Sequence, residues 1–161
     1  MVLFGALTLV LSLSVGLLLA QVAPLSANPF ADRMQVLSSG QLAMLLIPTI
    51  PQLIGEELLG ILPFLATLWL CIGRLGLSQR WGVICGVMAS ALVFGAAHLP
   101  TYDWHWEQAL IGIGSARVVL TLAYVVTRNL WVSVGAHILN DWTGFLAAFA
   151  FGHSPIGTDP I

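Results

Sequence analysis

Long apolar runs separated by short polar stretches make up most of this chain. A bilayer core takes about 20 predominantly apolar residues as one helix. Five runs qualify, at residues 2–24, 42–73, 81–99, 108–127 and 130–151. The second is too long for one straight span. Pro48 and Pro51 near its start predict a break, with a helix beginning near Pro51. The stretch 26–41, with Asp32 and Arg33, reads as a loop. A short loop with Arg74 and Arg80 precedes the third run. A wetter connection with Pro100, Asp103, His105 and Glu107 follows it, and 152–161 forms a polar tail. The pattern predicts an all-α, polytopic transmembrane bundle of about five spanning helices. It forms a single membrane domain over 1–161, with an N-terminal helix and loop over 1–50, a core over 51–145, and the last helix end and tail over 146–161.

Composition strengthens this reading. Of the 161 residues, 58% are apolar and 7% are charged, with no lysine. A soluble domain carries about 25% charged residues, so lipid must solvate much of this chain. The net charge of −2, without a basic cluster, excludes nucleic-acid binding. The start of the first run lacks a basic flank, which favours a spanning helix over a cleaved signal peptide. Trp69, Trp81, Trp104, Trp106 and Trp131 fall near run ends, as in an interfacial aromatic belt. Arg74, Arg80 and Arg128 lie in loops on one side and Arg33 on the other, which places the first three and the N-terminus on the cytoplasmic side of a cell membrane. Cys71 and Cys85 lack a C-x-x-C spacing and read as buried thiols.

Polar residues inside the runs carry the candidate chemistry. An ionisable group near a helix centre costs roughly 2.5–3.5 kcal/mol on insertion scales, so such groups face a bundle interior or a wet cavity. Glu56 lies on a polar and small stripe with Thr49, Gln52, Gly60, Pro63 and Thr67. Glu57 sits about 100° away, beside Leu53, Ile61 and Phe64. Glu56 is therefore expected to face a catalytic cavity. The structural alternative is a pair of protonated glutamic acids bonded within the bundle. His98 ends the third run on a ridge with Gly82, Gly86, Ser90 and Phe94. It is either a site residue or an interfacial one. The Gly82-x-x-x-Gly86 pair suits close internal helix packing better than a dimer contact. In the fifth run, His137 and Asp141 are one turn apart, on a face extended by Ser133 and Gly144. Three separate helices thus carry inward-pointing stripes. Gathering Glu56, Glu57, His98, His137 and Asp141 in one pocket lets each satisfy the others away from lipid. Carboxylates and imidazoles around such a pocket can activate water and stabilise an oxyanion, or bind a transition metal. Outside it, His105 reads as part of an interfacial loop and His153 as without a specific role.

Glu56-Glu57-Leu-Leu-Gly-Ile61, then Phe94-x-x-x-His98, then His137-x-x-x-Asp141 resemble, in order and approximate separation, the motifs of the CPBP family. This family comprises the CAAX proteases and bacteriocin-processing enzymes, also called Abi or Rce1-like intramembrane proteases. The likeness spans about residues 51–145. It implies an intramembrane endopeptidase in which Glu56 and His98 activate water and Glu57 supports them. His137 and Asp141 would stabilise the oxyanion, with Asn140 as a helper. Members of the family are described both as metal-dependent and as metal-independent. The cofactor is thus left open between none and a divalent metal such as zinc, held if present by Glu56, His98 and His137. The implied partners are membrane lipid and a protein or peptide substrate; oligomeric state is left open. The family's motif Arg is replaced by Ile61, which deprives Glu57 of a cation one helical turn away. Arg117, costly in mid-run unless paired, is expected to reach Glu57 or Asp141 across the bundle, or else to snorkel to an interface. Two non-peptidase readings remain: an inactive membrane scaffold or immunity protein, and a small proton or ion carrier.

Overall fold

A computed structural model describes residues 1–34 and 37–152 of the chain. The expected polar tail from residue 153 onward, His153 included, lies outside them. The fold is all-α: α1 (Val2–Leu19), α2 (Pro29–Met34), α3 (Ser39–Leu46), α4 (Thr49–Trp69), α5 (Gln79–Ala97), α6 (Gly114–Thr127) and α7 (Leu130–Phe151), with no strand among the described residues. A π-helical turn, Leu70–Arg74, continues α4. A second π-helical segment, Glu107–Ile113, leads into α6. Four continuous helical stretches are long and apolar enough to cross a membrane: Val2–Leu19, Ser39–Arg74, Gln79–Ala97 and Glu107–Thr127. This agrees with the expected all-α polytopic bundle of about five spanning helices, four of which meet the criterion of length and apolar composition. The fifth run does form a helix, α7, of ample length at 22 residues. Its His137, Asn140 and Asp141 dilute the apolar character that the other four retain.

The expected break near Pro48 is present. Helix α3 ends at Leu46, Pro48 caps α4, and Pro51 sits in the first turn, where a missing N–H costs nothing. The expected loop at 26–41 is only partly a loop, since it contains α2 and the start of α3. Ser38 and Gln41 close a reciprocal capping box at the head of α3. Phe30, Ala31 and Met34 of α2 pack with Leu42, Leu46, Phe145 and Ala148. This apolar cluster outweighs the polar residues of the segment.

Helices α4 and α5 pack closely because Gly82 and Gly86 lack side chains. A Cβ on Gly86 would stand 2.8 Å from the Phe64 ring and 3.0 Å from its carbonyl oxygen. The Gly82/Gly86 pair thus serves internal packing, as expected. Trp142 Nε1 donates to Thr49 Oγ1 at 2.9 Å and ties α7 to the start of α4. Trp69, Trp81, Trp104, Trp106 and Trp131 are all exposed near helix ends, where a membrane interface would hold them. Cys71 is buried and Cys85 half-buried, both as free thiols.

Candidate active site

The deepest polar group is a buried ion pair. Glu57 and Arg117 side chains are both 0% exposed. Arg117 Nη1 donates to Glu57 Oε1 at 2.7 Å and Nη2 to Oε2 at 2.9 Å, a two-pronged fit of guanidinium to carboxylate. The expected cross-bundle pairing of Arg117 therefore forms, and its partner is Glu57. Arg117 Nε donates to Thr121 Oγ1 at 3.1 Å. Ser90 Oγ lies 3.0 Å from Thr121 Oγ1 and donates to the Gly60 carbonyl at 2.8 Å. Gly60 makes the arrangement possible, because a Cβ there would sit 2.7 Å from Arg117 Nη1. Ser133 Oγ lies 2.5 Å from Glu57 Oε2 and 2.7 Å from the Leu120 carbonyl, with one hydrogen to share between them. Three helices, α4, α6 and α7, thus meet at one carboxylate, and α5 joins their network through Ser90. Burial of such a pair is tolerable only because further hydrogen bonds satisfy its remaining polar atoms.

A second, more accessible half adjoins this pair. Ser133, His137 and Asp141 lie one turn apart along α7 and share a face. His137 Nδ1 lies 2.9 Å from Glu57 Oε1, off the line an N–H donor would use. Its Nε2 points the other way, 3.8 Å from Glu56 Oε2 and 3.6 Å from Asp141 Oδ2. His98 Nε2 is also 3.8 Å from Glu56 Oε2. The His98 Nδ1 atom lies 2.8 Å from the Phe94 carbonyl, which can only accept, so the proton sits on Nδ1 and Nε2 is free to face Glu56. Gln52 Nε2 donates to Glu56 Oε1 at 2.9 Å and leaves Oε2 to the imidazoles. Asn140 Nδ2 donates to Asp141 Oδ1 at 2.9 Å, so its amide restrains that carboxylate. The Phe94 ring packs against both imidazoles, with centroids 4.5 Å from His98 and 6.0 Å from His137. Arg117 lies over the same ring at 5.3 Å.

Glu56, His98 and Asp141 retain 22%, 19% and 24% exposure of their side chains, in contrast to Glu57. They line a cavity of about 500 Å³, within the range typical of ligand sites. The structure therefore brings together every residue of the expected cluster: Glu56, Glu57, His98, His137, Asp141, Asn140 and Arg117. His105 stands apart from the cavity lining. No three His, Cys, Asp or Glu side chains among the described residues converge closely enough to hold a metal ion. Glu56 Oε2 stands 3.8 Å from each of the two Nε2 atoms, somewhat wider than the roughly 3.3 Å between neighbouring ligands of a tetrahedral zinc.

Sequence reasoning missed several supporting residues. Thr121 gave one available signal, its place one turn after Arg117. Gln108 clamps the α1–α2 connection, its amide accepting from Ser26 N at 2.9 Å and donating to Ser26 O at 2.7 Å. Asn28 Nδ2 donates to the Tyr102 hydroxyl at 3.3 Å. Burial, with the Asp141 charge adding to it, pushes that hydroxyl up to about 12, so it stays protonated.

A family of known proteins matches the segment that carries this cluster. The family described as type II CAAX prenyl endopeptidase Rce1-like matches residues 38–143, from the head of α3 through the site residues of α7. No curated protein and no solved structure matches the chain. The family is one of proteases, and its match covers more than half of the chain: this protein belongs to the Rce1-like type II CAAX prenyl endopeptidase family.

Proposed function

We propose that this chain is an intramembrane endopeptidase of a cell membrane, hydrolysing a peptide bond in a membrane-associated protein or peptide. The observation that carries the proposal is the placement of Glu56 Oε2. It stands 3.8 Å from Nε2 of both His98 and His137, on the wall of an accessible cavity. Such gaps exceed a direct hydrogen bond and suit a water resting on all three atoms. Glu56 takes a proton from that water as its oxygen attacks the scissile carbonyl carbon. His98 Nε2 accepts the water's second hydrogen bond and aims the attack. His137, as imidazolium, donates from Nε2 to the oxyanion that forms, with Asp141 beside the same nitrogen. Collapse of the intermediate breaks the C–N bond, and Glu56 returns its proton to the leaving amine.

The Glu57–Arg117 pair does no bond chemistry in this reading. It fixes Ser133 and the near side of His137, so the far side meets Glu56 at a set distance. This reading routes no step through a metal; were a divalent metal bound, Glu56, His98 and His137 would hold it. The accessible share of Glu56, His98 and Asp141 favours catalysis over a scaffold, whose polar core needs no contact with a cavity.

The test is cleavage of membrane-anchored peptides by protein in liposomes. Glu56→Gln and His98→Ala are each expected to abolish cleavage while the protein stays folded and inserted. Wild-type rates in both variants overturn the mechanism; absence of cleavage by the wild type itself would leave the scaffold reading in its place.

A further inference from the structure

The active-site cavity is bounded on one side by α1 and by the α1–α2 connection, which brings Asn28 into its lining. Tyr102 lines the same cavity, at the end of the short 3-10 helix Leu99–Tyr102 that follows His98. Thr101 N donates to the His98 carbonyl at 3.0 Å, so His98 and Tyr102 are carried by one tight turn. The next two residues, Asp103 and Trp104, adopt left-handed backbone with φ of 50° and 63°. Such strain persists only where the surroundings hold it. Here Ser26 Oγ donates to Asp103 Oδ2 at 3.1 Å, and the Gln108 amide grips the Ser26 backbone from both sides. The turn is thus fastened immediately after Tyr102.

Asn28 fixes the direction of the Tyr102 proton. Asn28 Oδ1 accepts from Phe30 N at 2.9 Å, at the head of α2. That leaves Nδ2 to face Tyr102, and it donates to the hydroxyl oxygen at 3.3 Å. An amide nitrogen cannot accept in return. The phenolic hydrogen therefore points away from Asn28, and no described residue accepts it. Tyr102 is 7% exposed, and a polar hydrogen left open at such burial needs a reason. Burial, with the charges of Asp141 and Glu56 adding to it, keeps the hydroxyl protonated. The same two carboxylates flank His137 Nε2, at 3.6 and 3.8 Å. The hydroxyl and His137 Nε2 thus border one space.

The reaction has a use for a donor there. A tetrahedral oxyanion accepts more than one hydrogen bond, and the mechanism above gives it one, from His137. The Asp141 carboxylate beside His137 accepts and does not donate. The amides of Asn140 and Gln52 are committed to Asp141 and Glu56, and the His98 proton to the Phe94 carbonyl. The Tyr102 proton is uncommitted.

We propose that Tyr102 Oη–H is the second oxyanion donor of this site. The inference rests on the peptidase reading above and adds a catalytic residue to it. As the water oxygen bonds to the carbonyl carbon, the C=O π pair moves onto the carbonyl oxygen. Tyr102 and His137 then hydrogen-bond that oxygen together, and Tyr102 keeps its proton throughout. Collapse returns the pair, breaks the C–N bond, and leaves Glu56 to protonate the amine as before.

Two measurements on the full chain in liposomes test it. In the first, cleavage of membrane-anchored peptides is followed in Tyr102→Phe, which removes one oxygen and keeps the ring. Loss of one oxyanion donor lowers kcat about 10²–10³-fold. That loss is expected here in kcat, with KM little changed, because the bond strengthens as charge develops. Asn28→Leu, which keeps the donor and removes its restraint, is expected to lose less. A Tyr102→Phe protein with wild-type kcat overturns the inference. So do equal losses in the two variants carried by KM, the mark of a tyrosine that only supports the turn.

The second measurement needs no turnover and uses Glu56→Gln protein, with and without Tyr102→Phe. It is offered two pools of membrane-anchored peptides, one unmodified and one with a phosphinate in place of a backbone amide, and retained peptides are counted by mass spectrometry. The phosphinate presents a tetrahedral centre bearing a charged oxygen, as the intermediate does. Tyr102→Phe is expected to weaken retention of phosphinate peptides about 10²-fold, and to leave retention of unmodified peptides as it was, which also shows the variant folded. Undiminished phosphinate retention overturns the inference, and wild-type cleavage would then leave the peptidase reading standing. Phosphinate retention that depends on Tyr102, in a chain whose wild type cleaves nothing, would keep Tyr102 as an anion donor and remove the peptidase reading.

Discussion

Arg117→Leu is expected to be among the most destabilising single changes in the chain. The side chain is fully buried, with Nη1 and Nη2 at 2.7 and 2.9 Å from the Glu57 oxygens and Nε at 3.1 Å from Thr121. Its removal leaves the Glu57 carboxylate at 0% exposure, with Ser133 and His137 as its only near polar groups. Breaking one partner out of a buried ion pair costs about 3–5 kcal/mol, because an uncompensated charge stays behind. The double variant Glu57→Leu/Arg117→Leu removes both charges together. Apolar replacement of a whole buried pair is close to neutral. Ser133 and Thr121 would still each lose a hydrogen-bond partner, at about 1 kcal/mol each. The double variant is therefore expected about 2 kcal/mol below wild type, and above the single variant. The assay is reversible unfolding in mixed detergent micelles, followed by tryptophan fluorescence. A single variant within about 1 kcal/mol of wild type would refute the reasoning. So would a double variant as unstable as the single one.

Other expectations follow from the same contacts. Gly60→Ala would place a Cβ 2.7 Å from Arg117 Nη1, and is expected to lower stability by about 1–3 kcal/mol in the same unfolding assay. Ser133→Ala removes a hydroxyl 2.5 Å from Glu57 Oε2; the loss is expected at about 1–3 kcal/mol, with a matching fall in cleavage as His137 loses its fixed neighbour. Treatment with a chelator is expected to leave peptide cleavage unchanged. Loss of cleavage that zinc restores would instead transfer the chemistry to a metal held by Glu56, His98 and His137.

The clustering of these residues was legible in the sequence because the membrane makes polar residues expensive. Glu56, Glu57, His98, Arg117, His137 and Asp141 each stand out in an apolar run, and the cheapest way to satisfy them is to meet. That reasoning also anticipated that Arg117 would reach across to an acidic group. It could not rank Glu57 over Asp141, because the choice depends on Gly60 leaving space for the guanidinium beside α4. Hydroxyl residues were less legible. Ser90, Thr121 and Ser133 are common in apolar helices, where a hydroxyl can bond its own backbone, so their presence gives no sign of a shared network. Helix α2 was hidden by Asn, Asp and Arg residues that suggested a loop, although Ser38-x-x-Gln41 announced α3 by its capping chemistry. The contribution of α1 was the least legible. Its side chains are almost all apolar, and Ser14 falls opposite Thr8 and Ser12, so no stripe separates the lipid face from the cavity face.

The most direct measurement is chemical rescue at Glu56. Membrane-anchored peptides are presented to Glu56→Ala protein in liposomes, with and without added formate. Loss of a general base slows a reaction by about 10²–10⁴-fold. Cleavage by Glu56→Ala is expected to fall into that range, and formate, occupying the space the carboxylate leaves between His98 and His137, is expected to restore part of the rate. A Glu56→Ala protein that cleaves at the wild-type rate would contradict the assignment of Glu56 as the base.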